Sequence, residues 1–196
     1  MNVVRYDPLW ADKIRREFSL EGKTVIGHIG RFNKQKNHAF LLEVFAKIHQ
    51  SNPNVVLLLV GKGELEQQIC QQAQQLGVEN SVIFTGVRQD VPALLSAMDV
   101  MVFPSFYEGM PNVIIEAQAT GLHCVVADTI TKTANISGLV EYLSLSKSAQ
   151  EWADCALSKV DLERKNMNDA FIKHQYDIQS VANVFKTLIW GDKEAE

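Results

Sequence analysis

The 196 residues are 46% hydrophobic and carry a net charge of −4, which provides a full core and excludes the basic stripe of a nucleic-acid binder. Acids and bases are interspersed, so there is no polybasic lipid anchor, and the longest apolar runs fall far short of a membrane span. Cys70, Cys124 and Cys155 are odd in number and without metal-ligand spacing; with no charged-then-apolar signal pattern at the start, they predict reduced thiols in a cytoplasmic protein.

In chain order, residues 8–20 predict an amphipathic helix with Trp10, Ile14 and Phe18 on one face, ended by Gly22. Thr24–Gly30 is a compact strand; a polar loop, 31–37, and a helix over 38–50 follow. Val55–Gly61 is apolar throughout, the signature of a strand buried on both faces of a parallel sheet. A helix over 64–76, a strand over 81–86, a helix over 91–98 and a strand over 100–105 continue the alternation. Gly121 closes the next helix; strands over 122–128 and 139–145 and helices over 148–158, 162–173 and 178–190 complete the chain. Alternating strands and helices define one α/β domain over 1–196, a three-layer Rossmann-like unit with a parallel sheet of about six strands.

The chain is organised around Glu108-Gly-Met-Pro-Asn-Val-Ile-Ile-Glu116. It follows a short apolar strand, so Glu108 stands at the strand's carboxyl end, where open α/β sheets bind ligands. Pro111 suits the first turn of a helix, leaving the amides around Gly109 and Asn112 free to meet an anion or sugar hydroxyls. Glu116 lies roughly 7 to 8 Å further along the axis in a helix that is apolar nearly all round, so it is expected to be buried and to need a polar partner. Two carboxylates at such a spacing also fit structural ion pairs.

Arg31, Lys34 and Lys36 concentrate positive charge after the first strand, at the same sheet edge as Glu108. Arginine grips two phosphate oxygens and lysine supplies a point charge, an arrangement suited to a diphosphate; a solvated loop is the alternative. Gly61-Lys62-Gly63 fits a tight strand-to-helix turn better than a dinucleotide fingerprint, whose third glycine and acid are absent. The five histidines are scattered and read as structural or surface residues, with His28 alone in a strand near the mouth. Without an Asp-x-Asp signature, no metal is expected.

Four segments in order, Gly30-Arg-Phe-Asn-Lys-Gln-Lys-Asn37, Val60-Gly-Lys-Gly63, Phe84-Thr-Gly86 and Phe103-Pro-Ser-Phe-Tyr-Glu-Gly-Met-Pro-Asn-Val-Ile-Ile-Glu-Ala-Gln-Ala-Thr-Gly121, resemble the carboxyl-terminal domain of retaining GT-B glycosyltransferases of family 4, in particular bacterial exopolysaccharide and capsule enzymes. The resemblance implies that Arg31 and Lys36 hold and stabilise the departing donor diphosphate. Glu116 would accept the ribose hydroxyls and Glu108 would lie by the transferred sugar. Gly109, Met110, Pro111 and Asn112 would contact sugar or phosphates, Gly30 would border the donor, and Gly86 and Val87 the base. The implied catalytic set is Arg31, Lys36 and Glu108, the donor a UDP-sugar in preference to a GDP-sugar, and the acceptor a polysaccharide or lipid-linked saccharide. The implied place is the cytoplasm, at the inner-membrane surface for a full-length enzyme.

Two departures follow. Residues 129–135 lack the glycine-rich, acid-bearing run of many relatives. The acceptor-binding amino-terminal domain is expected to be missing, so the chain reads as a donor-binding half with little or no transfer activity alone, its 178–190 stripe and Trp190 exposed or meeting another chain in self-association. A non-catalytic nucleotide-binding module of a two-chain transferase and a GT-B-shaped sugar-nucleotide epimerase are the alternatives.

Overall fold

The computed structural model describes residues 5–174 and Tyr176. Six strands, β1 (Thr24–Ile29), β2 (Val55–Val60), β3 (Val82–Phe84), β4 (Val100–Phe103), β5 (Cys124–Ala127) and β6 (Val140–Leu143), form one sheet in the order β3-β2-β1-β4-β5-β6. Every pairing is parallel. The six-stranded, helix-flanked α/β architecture matches the sequence expectation. All six residues of β2 are buried, as its unbroken apolar run requires of a strand between two neighbours and two helical layers.

The helices are α1 (Pro8–Glu17), α2 (His38–Ser51), α3 (Glu66–Gln75), α4 (Val91–Ala97), α5 (Asn112–Ala119), α6 (Ala149–Val160) and α7 (Asn168–Lys173). α2 packs between α3 and α6, while α1 packs on α4 and α4 on α5. The main core runs through both layers, with Ile26, Leu42, Phe45, Leu58, Met101 and Val125 fully buried. α6 opens on a capping box: the Ser148 hydroxyl accepts from the Glu151 amide at 3.3 Å, and the Glu151 carboxylate accepts from the Ser148 amide at 2.9 Å. Ser148→Ala should lower stability by about 1 kcal/mol, read as a lower urea midpoint at unchanged slope.

Two helices differ from expectation. The first stops at Glu17 because the chain turns at Ser19 (φ 53°), which lets Leu20 bury completely. Ile14 is buried on the predicted face, but Trp10 is 46% exposed. The helix expected over 162–173 begins only at Asn168. Upstream, Arg164 donates to Thr120 O (3.1 Å) and Leu95 O (2.9 Å), and also to Met98 O. These carbonyls end α4 and α5, and satisfying them with one guanidinium holds residues 162–167 out of helix. Burial lowers the Arg164 pKa to about 10. Cys70, Cys124 and Cys155 are free thiols. No helix among the described residues is long and apolar enough to cross a membrane. The helix expected over 178–190, with its proposed self-association, lies outside the described residues.

The strand order reverses between β1 and β4, so the loops leaving their carboxyl ends diverge to opposite sides and open a crevice. Those loops are 30–37 and 104–111. The fold thus places the two motif-bearing segments side by side.

Candidate functional site

The β1 loop is a built structure. Asn33 caps a short 3-10 turn over Lys34–Lys36 by accepting from the Lys36 amide, and Asn37 takes the left-handed conformation (φ 55°) that starts α2. Two straps fasten it to the β4 loop. The Phe106 amide donates to Gln35 O (2.9 Å) while the Gln35 amide group donates to Tyr107 O (2.9 Å), and Asn37 Nδ2 donates to Pro104 O (3.2 Å). Gln35 and Asn37 escape a search for charge because their work is to join two loops.

These straps bring Lys36 onto Glu108. Nζ lies 2.7 Å from Oε1, with side chains only 14% and 10% exposed. The lysine stem crosses Gly30, where an added Cβ would fall 2.9 Å from Lys36 Cε. Its ammonium also lies 4.5 Å from the centroid of the Phe103 ring. The ammonium thus meets the carboxylate on one side and the aromatic face on another.

Downstream, Pro111 occupies the position before the first helical residue instead of the first turn, and α5 starts at Asn112. The Asn112 amide is spent on Met110 O at 3.0 Å, so it is not free as expected. The amides of Gly109 and Met110 have no internal partner among the described residues. Pro111 is buried, while the Met110 side chain is 49% exposed. Glu116 is half-buried and its carboxylate has no hydrogen-bond or ion-pair partner among the described residues, contrary to the expectation that burial would require one. Desolvation raises its carboxyl pKa. Two residues on, buried Gln118 accepts from the Ile136 and Ser137 amides (3.0 and 3.1 Å) and donates to Ala134 O (2.7 Å). It pins the 129–137 loop, and its signal in the sequence is one amide in an otherwise apolar stretch.

Arg31 is not gathered with Lys36 and Glu108. It lies at the rim, 71% exposed, with Nη2 3.2 Å from Glu64, a partner that sequence reading missed. The Gly61–Gly63 turn is the tight strand-to-helix connection expected. Its Lys62 carbonyl accepts from the Phe32 amide and the Gly61 amide donates to Gly86 O. Exposed Lys62 lies beside Gly86, a cation that the sequence search passed over; an added Cβ on Gly86 would fall 3.3 Å from its Cε. Val87, 72% exposed, borders the same side. Among the described residues no three His, Cys, Asp or Glu side chains converge to hold a metal ion.

A parallel α/β domain with its polar loops gathered at the sheet's switch point is the nucleotide-binding type of architecture. A family model described as "Glycosyl transferases group 1" matches residues 23–160, and the chain belongs to this family, in a domain of the GT-B type. It is 41% identical over 133 residues to the putative glycosyltransferase EpsF of Bacillus subtilis, covering 67% of this chain and 35% of that protein. Over 103 residues it is 39% identical to an Escherichia coli enzyme named UDP-Gal:alpha-D-GlcNAc-diphosphoundecaprenol alpha-1,3-galactosyltransferase, covering 51% of this chain and 27% of that one. Among solved structures, Anabaena HepE in complex with UDP-glucose superposes with a TM-score of 0.77 and 25% identity, covering 96% of this chain and 55% of HepE. The chain therefore spans about a quarter to a half of the length of these relatives.

Proposed function

We propose that this chain is the donor-binding half of a retaining, family 4 glycosyltransferase that moves a sugar from a UDP-sugar to a polysaccharide or lipid-linked acceptor. The observation that carries the reading is the half-buried carboxylate of Glu116, unpartnered among the described residues, on the segment that also delivers Glu108 to Lys36. An acceptor-only group left without a donor at a switch-point crevice is matched by the two ribose hydroxyls of a nucleotide. The complexes of HepE with UDP and UDP-glucose, and the galactosyltransferase named for UDP-Gal, favour UDP over GDP. EpsF and the Vi polysaccharide biosynthesis protein of Salmonella typhi favour an exopolysaccharide or capsule setting.

In this reading Lys36 receives the diphosphate, and Arg31 swings from Glu64 to join it. Glu108 holds Lys36 with one oxygen and offers the other to the sugar. Gly30, Gly109, Met110, Pro111 and Asn112 line the donor, with Gly86 and Val87 by the base. The bond from the anomeric carbon to the diphosphate oxygen breaks, and its electron pair leaves with UDP, where charge grows next to Lys36 and Arg31. The acceptor oxygen bonds to that carbon on the same face and its proton passes to the departing phosphate. No carboxylate nucleophile is assigned, and no metal, since these cations take the developing charge. The acceptor belongs to the part of the relatives' length that this chain does not span, so the chain alone is proposed to transfer little or no sugar.

Calorimetric titration with UDP and GDP tests the reading. UDP should bind more tightly, and Glu116→Ala and Arg31→Ala should each weaken it about 10-fold, the loss of one hydrogen bond to a charged group. Equal affinity for the two nucleotides, or a Glu116→Ala variant that binds UDP as well as wild type, would sink it. The pH dependence has a defined sign. Only ionised Glu116 accepts both hydroxyls, and burial raises its pKa, so its contribution is present above that raised value and lost as pH falls through it. The affinity gap between wild type and Glu116→Gln should therefore close on acidification, earlier than for an exposed glutamate.

A further inference from the structure

Behind the Lys36–Glu108 pair lie four buried polar atoms without a hydrogen-bond partner among the described residues: His28 Nε2, both ring nitrogens of His38, and Ser105 Oγ. The three residues are 0%, 2% and 0% exposed. They arrive from β1, from the first residue of α2 and from the loop that follows β4. Roughly 90% or more of buried polar groups in native interiors are paired, so these orphaned side chains point to an unseen partner.

The chemistry of the orphans selects that partner. His28 Nδ1 lies 2.9 Å from Val102 O, and a carbonyl only accepts, so Nδ1 carries the hydrogen and Nε2 is a bare acceptor. Ser105 offers one donor and two acceptor sites, and neutral His38 offers one of each. Burial first, then the charge of the neighbouring groups, holds both imidazoles below their ordinary range, His38 at about 4. The charged groups facing the cluster are Lys36 and, through it, Glu108. Beside the Lys36 ammonium a cation is repelled, and two neutral rings hold no anion. A small molecule that both donates and accepts is left, which is water.

The cluster is mechanically joined to Lys36. The His28 ring stacks on Phe103 with centroids 5.2 Å apart and planes at 24°, and the same Phe103 ring carries the Lys36 ammonium. His38 meets His28 edge-on at 4.7 Å and Phe32 at 4.8 Å. Asn37, between Lys36 and His38, is tied to Pro104, the neighbour of Ser105.

We propose that His28, His38 and Ser105 enclose an internal water site behind Lys36, and that this water layer positions Lys36 through Phe103 and the strap between residues 37 and 104. The three side chains are positioning residues; none touches the donor. The expected effect on UDP binding rests on the donor-site reading above, whereas the water site and its hold on Lys36 do not.

The test is nuclear magnetic resonance on the 15N-labelled chain without ligand. Wild type should show His28 with its hydrogen on Nδ1, an Nε2 resonance displaced from that of a bare lone pair, and exchange cross-peaks from water to the His38 ring. The Lys36 ammonium should give a protected signal. With folding read from the backbone amide spectrum, Ser105→Ala should remove the water cross-peaks to His38, His38→Phe should return the His28 Nε2 resonance to that of a bare lone pair, and each should shift or broaden the Lys36 signal. A bare Nε2 and no water contact in wild type would overturn the proposal, as would variants that lose the water while the Lys36 signal stays put. UDP titration adds a separate arm: about 5-fold weaker binding by Ser105→Ala is expected, the effect of one hydrogen bond. A wild type that binds no UDP overturns the donor reading, while the ammonium signal still judges the water site.

Discussion

Lys36→Ala should abolish UDP binding within the range calorimetry reads, a loss of at least about 100-fold, because in the proposed donor site this side chain supplies the charge-assisted contact nearest the diphosphate. The same substitution strands the Glu108 carboxylate, 10% exposed, without its counter-ion. Removing one partner of such a shielded pair costs about 3 kcal/mol, so the variant should also unfold at lower denaturant. The two effects separate in the double variant Lys36→Met/Glu108→Leu. Apolar replacement of a shielded pair is close to neutral for stability, so folding should recover while UDP binding stays absent. A double variant that regains UDP affinity would show that Lys36 is structural; one that stays as unstable as Lys36→Ala would show that the ion pair was not the source of the loss.

Gly63→Ala should destabilise the domain by about 2–3 kcal/mol and weaken UDP binding with it. A Cβ at this position would stand 2.3 Å from Phe32 O and 2.6 Å from Phe32 C and N, all backbone atoms that cannot move aside as a side chain does. Gly61→Ala is expected to be at least as severe, because its φ of 138° disfavours any side chain and the new Cβ would meet Gly30 O at 2.1 Å. Both substitutions wedge the β2 loop away from the β1 loop and break the bonds from the Phe32 amide to Lys62 O and from the Leu65 amide to Phe32 O, each 3.0 Å. Because that β1 loop carries Lys36, the damage reaches the site. Urea denaturation and UDP titration of the same preparations check both parts; a stable Gly63→Ala variant with wild-type affinity would contradict the packing argument.

Much of this was legible in the chain. The apolar run of β2 and the alternation of strands with helices settled the fold class, since a strand buried on both faces admits no polar residues. The segment from Glu108 to Glu116 advertised itself because two acids flank a helix start at a sheet edge. The Arg31–Lys36 loop did so by its charge. What stayed illegible were contacts whose residues have no chemical signature by themselves: Gln35 and Asn37 tying two loops, Gln118 holding residues 134–137, and Arg164 ending two helices. The short α7 belongs with these, since local preference for helix over 162–167 lost to three carbonyls that needed a donor.

The sequence by itself determined that the protein is a parallel α/β domain with a cationic loop and a glutamate-bearing loop at one end of its sheet, because periodicity and composition are properties of neighbouring residues. Only the tertiary structure decided which charges meet. It set Lys36 on Glu108 and Arg31 on Glu64, left the Glu116 carboxylate without a partner among the described residues, and brought the buried His28 and His38 rings together. The Lys36–Glu108 pairing depends on the strand order and on the straps between loops, which bring residues 72 positions apart within hydrogen-bond reach.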